Sequence, residues 1–184
     1  VTEPEHGITP DMVVAASGGQ LDDTVPGIAQ AIDGTVESFR RWCGWHVWPT
    51  WTHTEVLDGP GTRVVQLPTL HMTRVSKVSE DGESLDTDTD LTWSQRGWLT
   101  RLGARHWTDA DRGIEVEYTD GYDQPADLVR LVCQAVLRDV GNPYSRSRIQ
   151  VGQRSESFDA AAISGVGLLF GTELATLAEY RIPR

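Results

Sequence analysis

The apolar residues of this chain keep a helical period in two stretches and lose it in the long stretch between them. That arrangement restricts the folds open to it. Ile28, Ile32, Val36, Phe39 and Trp42 recur at steps of three and four, which is one face of an amphipathic helix over 25–43. Arg40 and Arg41 suit the negative end of that helix, and Gly44 is its stop. Leu128, Leu131, Val132, Ala135, Val136 and Val140 form a broad apolar face on a second long helix. Pro125 opens that helix and Asn142-Pro143 ends it. Residues 45–122 instead carry Thr, Val and Trp in short runs broken by turns.

Within that middle stretch, Glu55 to Leu57 leads into the turn Asp58-Gly59-Pro60-Gly61. Arg63 to Leu67 is a short strand ended by Pro68. Thr73 to Ser79 is another, and Asp81-Gly82 is a favoured hairpin turn. A further strand returns over Leu85 to Trp93. Ile114, Val116 and Tyr118 alternate with Glu115, Glu117 and Thr119, the pattern of a strand with one buried face. These runs predict five or six strands. Their connections are too short for crossover helices, so the pairing is antiparallel. The fold class is therefore α+β: a helical core of about three to four helices with an inserted antiparallel β sub-domain.

The remaining elements are smaller. Residues 1–8 read as an arm. Thr9 caps a short helix with Pro10 at its first position, and Gly18-Gly19 stop it. Asp22, Asp23 and Thr24 offer a cap to the helix that follows. Ile149 to Phe158 reads as an exposed strand or arm, and 160–170 is ambiguous. Thr172 caps a last short helix with Leu174, Leu177 and Tyr180 on one side. The whole of 1–184 is expected to be a single domain. Its parts are an arm and helices over 1–44, the β insertion over 45–122, a core helix over 123–144, and a C-terminal arm and helix over 145–184.

The charge excludes some partners. The net charge is −11, from 16 Lys and Arg against 27 Asp and Glu. Such a surface repels phosphate, which argues against a DNA-gripping protein or one that binds anionic membranes. An acidic wall does suit a channel through which DNA slides. No run reaches the ~18 apolar residues of a membrane span. Val1 to His6 lacks the basic-then-apolar pattern of a signal peptide, so synthesis in the cytosol is expected. Cys43 and Cys133 lie among apolar helical neighbours and read as reduced core thiols, with a disulfide between them as the alternative.

No pattern points to catalysis. Asp86, Asp88 and Asp90 resemble the start of a calcium loop, but Leu91 holds the sixth position and Gly97 the twelfth. The simpler reading is three carboxylates on one face of a strand, a solvated edge. Trp42, Trp45, Trp48 and Trp51 recur every three residues, yet Gly44 and Pro49 interrupt them; core or interface packing is preferred to a sugar platform. His46, His53, His71 and His106 show no paired ligand spacing. No Gly-x-Ser-x-Gly elbow occurs, and Gly165, Gly167 and Gly171 fit neither phosphate-loop nor dinucleotide spacing. No catalytic residue, cofactor site or metal site is assigned.

From Asp58 to Pro143 the order of motifs resembles the head-to-tail adaptor (connector) proteins of long-tailed bacteriophages. The pattern runs through Leu67-Pro68, Val75, Val78, Asp81-Gly82, Trp93, Gly97, Leu99 and Arg101. It continues with Ile114, Val116, Tyr118, Gly121, Tyr122, Pro125, Asp127 and Leu128, and closes at Asn142-Pro143. Gly121 is expected to take a backbone turn closed to other residues, and Pro125 to fix the first turn of the next helix. Trp93, Trp98 and Tyr118 are expected to fill the space between sheet and helices.

The resemblance implies a non-enzymatic virion protein of the neck, assembled in the host bacterial cytoplasm. It implies a dodecameric ring that joins the portal protein to a head-closure or tail-proximal neck protein. Genomic DNA would pass through it without sequence-specific contact, and no membrane is involved. The C-terminal segment, with Leu168, Leu169, Phe170, Leu174, Leu177 and Tyr180, is the implied portal-docking part. The alternatives are another neck or tail structural protein, of head-closure type, or a carbohydrate-binding module.

Overall fold

The computed structural model describes residues 3–22, 25–141, 148–151, 154–157, 163–164, 167–169 and 171–183. The chain forms two compact units. One consists of 1–5, 44–124 and 182–184 and is built of strands. The other consists of 6–43 and 125–181 and is mainly helical. The β segment thus leaves one helix of the helical unit and returns to the next, the insertion that the lost helical period predicts. The fold is α+β.

The β unit is two small antiparallel sheets. The first has the order β1-β7-β3-β4, from Trp51–Leu57, Ile114–Asp120, Met72–Glu80 and Glu83–Leu85. The second has the order β2-β6-β5, from Val64–Gln66, Trp98–Arg101 and Leu91–Trp93. Strand β7 alternates buried and more exposed residues along its length. Its Ile114, Val116 and Tyr118 join Leu67, Met72, Val78, Leu91, Leu99 and Trp107 in one core. Arg101 on β6 is buried, and its Nη2 lies 3.1 Å from Oε2 of Glu80 on β3. Arg101 also sits over the Trp107 ring at 5.2 Å, so charge and packing hold the two sheets at one point. Glu80 Oε1 accepts the backbone N–H of Thr108 as well.

Three expectations for this unit need correction. The unit has seven strands, because 85–93 is not one strand. It divides into β4, a turn, and β5. Asp86 Oδ1 accepts the backbone N–H groups of Asp88 and Thr89, and Asp90 Oδ2 accepts that of Asp86. The aspartates therefore satisfy a tight turn from within, and Asp90 pairs with Arg105 at 2.8 Å. They do not line one strand face. Second, Trp93 and Trp98 are 39% and 44% exposed. Trp98 lies opposite Gln66 and one residue out of phase with buried Leu99, so it projects from the outer face of its sheet. Third, β1 begins at Trp51, ahead of Glu55. Its inward residues are Trp51, His53, Glu55 and Leu57, and the polar pair His53 and Glu55 breaks the usual apolar alternation.

In the helical unit, α3 (Ala126–Gly141) packs against α1 (Pro10–Ala16), α2 (Ile28–Cys43) and α4 (Gly171–Ala178). The predicted faces are the buried ones: Ile28, Ile32, Val36 and Phe39 on α2, and Leu128, Leu131, Val132, Ala135 and Val136 on α3. Val140 is only half buried. Thr9 takes the N-cap position of α1 in an extended conformation but makes no side-chain cap bond. Helix α2 starts three residues later than expected, and Gly44 (φ +84) follows its end. Asp23 and Thr24 lie outside the described residues, as does Asn142-Pro143. The Pro125 carbonyl accepts the first helical bond of α3, from Val129 N–H. Cys43 and Cys133 are buried and unbridged, and burial pushes the Cys43 thiol up to about 12. Strands β8 (Arg148–Val151) and β9 (Arg154–Ser157) form a hairpin, as do β10 (Ile163–Ser164) and β11 (Gly167–Leu168). Helix α4 starts at Gly171, so Thr172 lies inside it and does not cap it.

A candidate binding cleft at the edge of the sheet

Strand β1 is the edge of the first sheet, and its register with β7 builds the site. Trp51 lies opposite Asp120, His53 opposite Tyr118 and Glu55 opposite Val116. Directly opposed residues of an antiparallel pair share a face, and here it is the face that β7 buries. At the Ile114 end the second sheet covers that face with apolar side chains. At the Asp120 end it carries Trp51, His53, Glu55, Tyr118 and Asp120. There a cleft of about 600 Å³ opens, lined also by Gly44, Trp45, His46, Thr54 and Pro68.

The aromatic groups form a ladder. The Trp51 and His53 rings stack at 4.2 Å, and His53 tilts against Tyr118 at 4.5 Å. His46 tilts against Trp51 at 5.2 Å, and its Nδ1 lies 3.1 Å from Oε1 of Glu3. Gly121 and Tyr122 follow Asp120 directly in the chain. Gly121 has φ +92, and a Cβ there would stand 2.8 Å from the Pro49 carbonyl oxygen, so only glycine fits. Its N–H bonds the His71 carbonyl, and Tyr122 N–H bonds that of Val47. The Tyr122 ring stacks on His71 at 4.1 Å.

The electrostatics are set by burial. Asp120 is 1% exposed. Burial pushes its carboxyl from 3.8 to about 6, Glu55 adds to the rise, and a hydrogen bond from the Thr69 side chain opposes it. Burial also raises Glu55 and the Tyr118 phenol, and lowers His53. His53 Nδ1 stands 3.7 Å from Asp120 Oδ1, within ion-pair range but beyond a hydrogen bond. Each member is driven toward its neutral form, so the two are close neighbours and not a salt bridge. Four buried polar atoms in this one cleft have no hydrogen-bond partner: Trp51 Nε1, His53 Nδ1, Tyr118 Oη and Asp120 Oδ1. None of the ten lining residues is Ser, Cys, Lys or Arg. Among those four atoms, Asp120 Oδ1 is an unmet acceptor and Trp51 Nε1–H an unmet donor.

The residues singled out in the sequence fall in different places. Tyr118 is fully buried and lines the cleft, and Gly121 and Tyr122 follow the end of β7. Gly97 (φ +80) ends the β5–β6 turn, where a Cβ would meet Thr69 and Leu67 at 2.9–3.0 Å. Trp93 is on the surface. Of the four spaced tryptophans, Trp45 and Trp48 are buried, Trp51 enters the cleft, and Trp42 is covered by Arg181 at 4.6 Å. In the C-terminal segment Leu169 and Leu177 are fully buried and Leu174 is half buried. Tyr180 Oη donates to Asp127 Oδ2 at 2.8 Å. Phe170 and the side chain of Leu168 lie outside the described residues. Sequence reasoning missed Trp51, His53, Glu55 and Asp120 as a group. The signal was present in the alternations Trp-x-His-x-Glu and Tyr-x-Asp, which become one site only when the two strands pair.

No protein-family model matches the chain, and no curated protein does. Solved structures do. The chain aligns over its whole length with 94% of a chain from the neck of a native GTA particle computed with C12 symmetry, at 15% identity and a TM-score of 0.60. The neck of an empty GTA particle computed with C6 symmetry matches at 14% and 0.59, with the same coverage. A chain from the virion of a native gene transfer agent (GTA) particle matches at 14% and 0.62. At such identities the agreement is one of fold: along its full length, this chain has the fold of a chain found in the neck of a gene transfer agent particle.

Proposed function

We propose that the chain is a structural subunit of a phage-like neck: a head-to-tail adaptor that forms a ring between the portal and the next neck protein. The observation that carries this reading is the whole-chain agreement in fold with a neck chain in particles computed with C12 and C6 symmetry. The order of motifs from Asp58 to Pro143 supports the adaptor role in particular. A ring of identical chains needs two different complementary sides on each subunit, and a net charge of −11 suits a wall past which DNA slides. On this reading the protein is not an enzyme.

Portal docking falls to the C-terminal segment. Leu174 presents some apolar surface as it stands, whereas Leu169 and Leu177 are enclosed. Leu168, Phe170 and Tyr180 complete the proposed contact. Electron microscopy of the protein mixed with its portal tests the reading. The expected image is a ring of this chain beneath the portal, lost on deletion of 165–184. A portal that stays bare with the full chain, or a ring unaffected by the deletion, overturns the role or the docking segment respectively.

A further inference from the structure

The cleft of the β unit has a charge requirement that its own lining does not meet. Glu55 and Asp120 lie on one face of adjacent strands, and no Lys or Arg lines the cleft. Asp120 is 1% exposed, and one of its oxygens has no hydrogen-bond partner. A buried carboxylate in such a place is stabilised chiefly by a cation that enters with its own donors. The walls add shape to charge. The Trp51 and His53 rings are stacked within 19° of parallel, with Tyr118 tilted against them. Flat aromatic walls between two carboxylates suit a flat cation, which makes cation–π contact and hydrogen bonds together.

We propose that this cleft receives the guanidinium of an arginine side chain carried by an adjoining copy of the chain. The guanidinium would donate to the free oxygen of Asp120 and to the Glu55 carboxylate while its plane lies along the aromatic ladder. The donor is an arginine of a neighbouring copy, because 15 of this chain's 16 basic residues are arginines and a ring of identical chains sets one copy against the next. That the donor is a neighbouring copy rests on the neck reading; the cleft's preference for a guanidinium does not.

The test is an NMR titration of the full chain, read at the Trp51 indole N–H, which is assigned with Trp51→Phe. N-acetyl-arginine amide, which mimics an arginine within a protein, is expected to move that signal with a dissociation constant on the order of millimolar, as suits a single side chain. The neutral isostere N-acetyl-citrulline amide is expected to leave it in place. Asp120→Asn and Glu55→Gln should each weaken binding at least about tenfold. The second variant replaces a less buried group, and thereby keeps the test open if the first perturbs the fold. Equal responses to arginine and citrulline amides overturn the proposal, as does a response to methyl glucoside with none to arginine, or full binding by both variants. Tighter binding of free L-arginine than of the blocked amide overturns the protein donor and makes this a small-molecule site. None of these outcomes bears on whether the chain forms a ring beneath a portal.

Discussion

Asp120 ends strand β7 with its carboxyl buried and only partly hydrogen-bonded, and this has a cost that depends on pH. Its folded value of about 6 stands above the 3.8 of an open chain, so folding favours the neutral form. The stability this group allows is complete below 3.8 and is lost as pH rises through about 6. At pH 7.5 the buried charge costs at most about 3 kcal/mol. Asparagine keeps the shape and the acceptor while removing the charge. Asp120→Asn is therefore expected to be more stable than the parent by about 2 kcal/mol at pH 7.5. Urea denaturation should show that advantage shrinking steadily as pH falls from 7 toward 4. An advantage that does not change with pH would mean that burial of the charge is not its origin. Because the variant is expected to be the more stable protein, any loss of guanidinium binding in it reads as lost recognition and not as unfolding.

Among the elements, α4 is the short one, and its attachment is specific. Leu177 is its one buried residue. Arg138 on α3 holds Glu173 in the first turn of α4 with two hydrogen bonds, of 3.0 and 2.7 Å. A bidentate arginine–carboxylate pair of this kind fixes orientation as well as adding energy. Beside it, Tyr180 reaches Asp127 at the start of α3. Glu173→Gln removes the charge and half of the fork. It is expected to loosen α4 by about 1–2 kcal/mol, seen as faster amide exchange in 171–178. The buried amides of α3 should keep their protection. Uniform acceleration through both helices would show instead that α4 is integral to the folding of the helical unit.

For the molecule as a whole, the ring reading and the net charge of −11 make one joint prediction. Copies that repel one another associate weakly, and a heterologous interface closes only when each step has the right rotation. Sedimentation of the purified protein at micromolar concentration and low salt is expected to show mainly monomer. Rings are expected when the portal supplies the template, and salt should ease self-association by screening. A stable dodecamer of the isolated protein would remove the portal from its assembly while leaving the ring itself intact.

The helices α2 and α3 and the inserted β segment are legible in the order of residues. Helical period and turn residues are local patterns, and burial of Ile28 to Phe39 and of Leu128 to Val136 follows from the period directly. The hairpin turn at Asp81-Gly82 and the alternation of β7 are legible for the same reason. The cleft is not. Trp51 meets Asp120, and His53 meets Tyr118, only through the β1–β7 register, and alternation tells which residues share a strand face but not which strand lies alongside. The same gap explains Trp98. Its size argues for burial, but its place opposite Gln66 sets it on the face away from Leu99, and which face of a sheet meets the core depends on where a second layer lies. Local pattern thus determined the elements and their order, while long-range pairing alone decided that two carboxylates and an aromatic ladder share one opening.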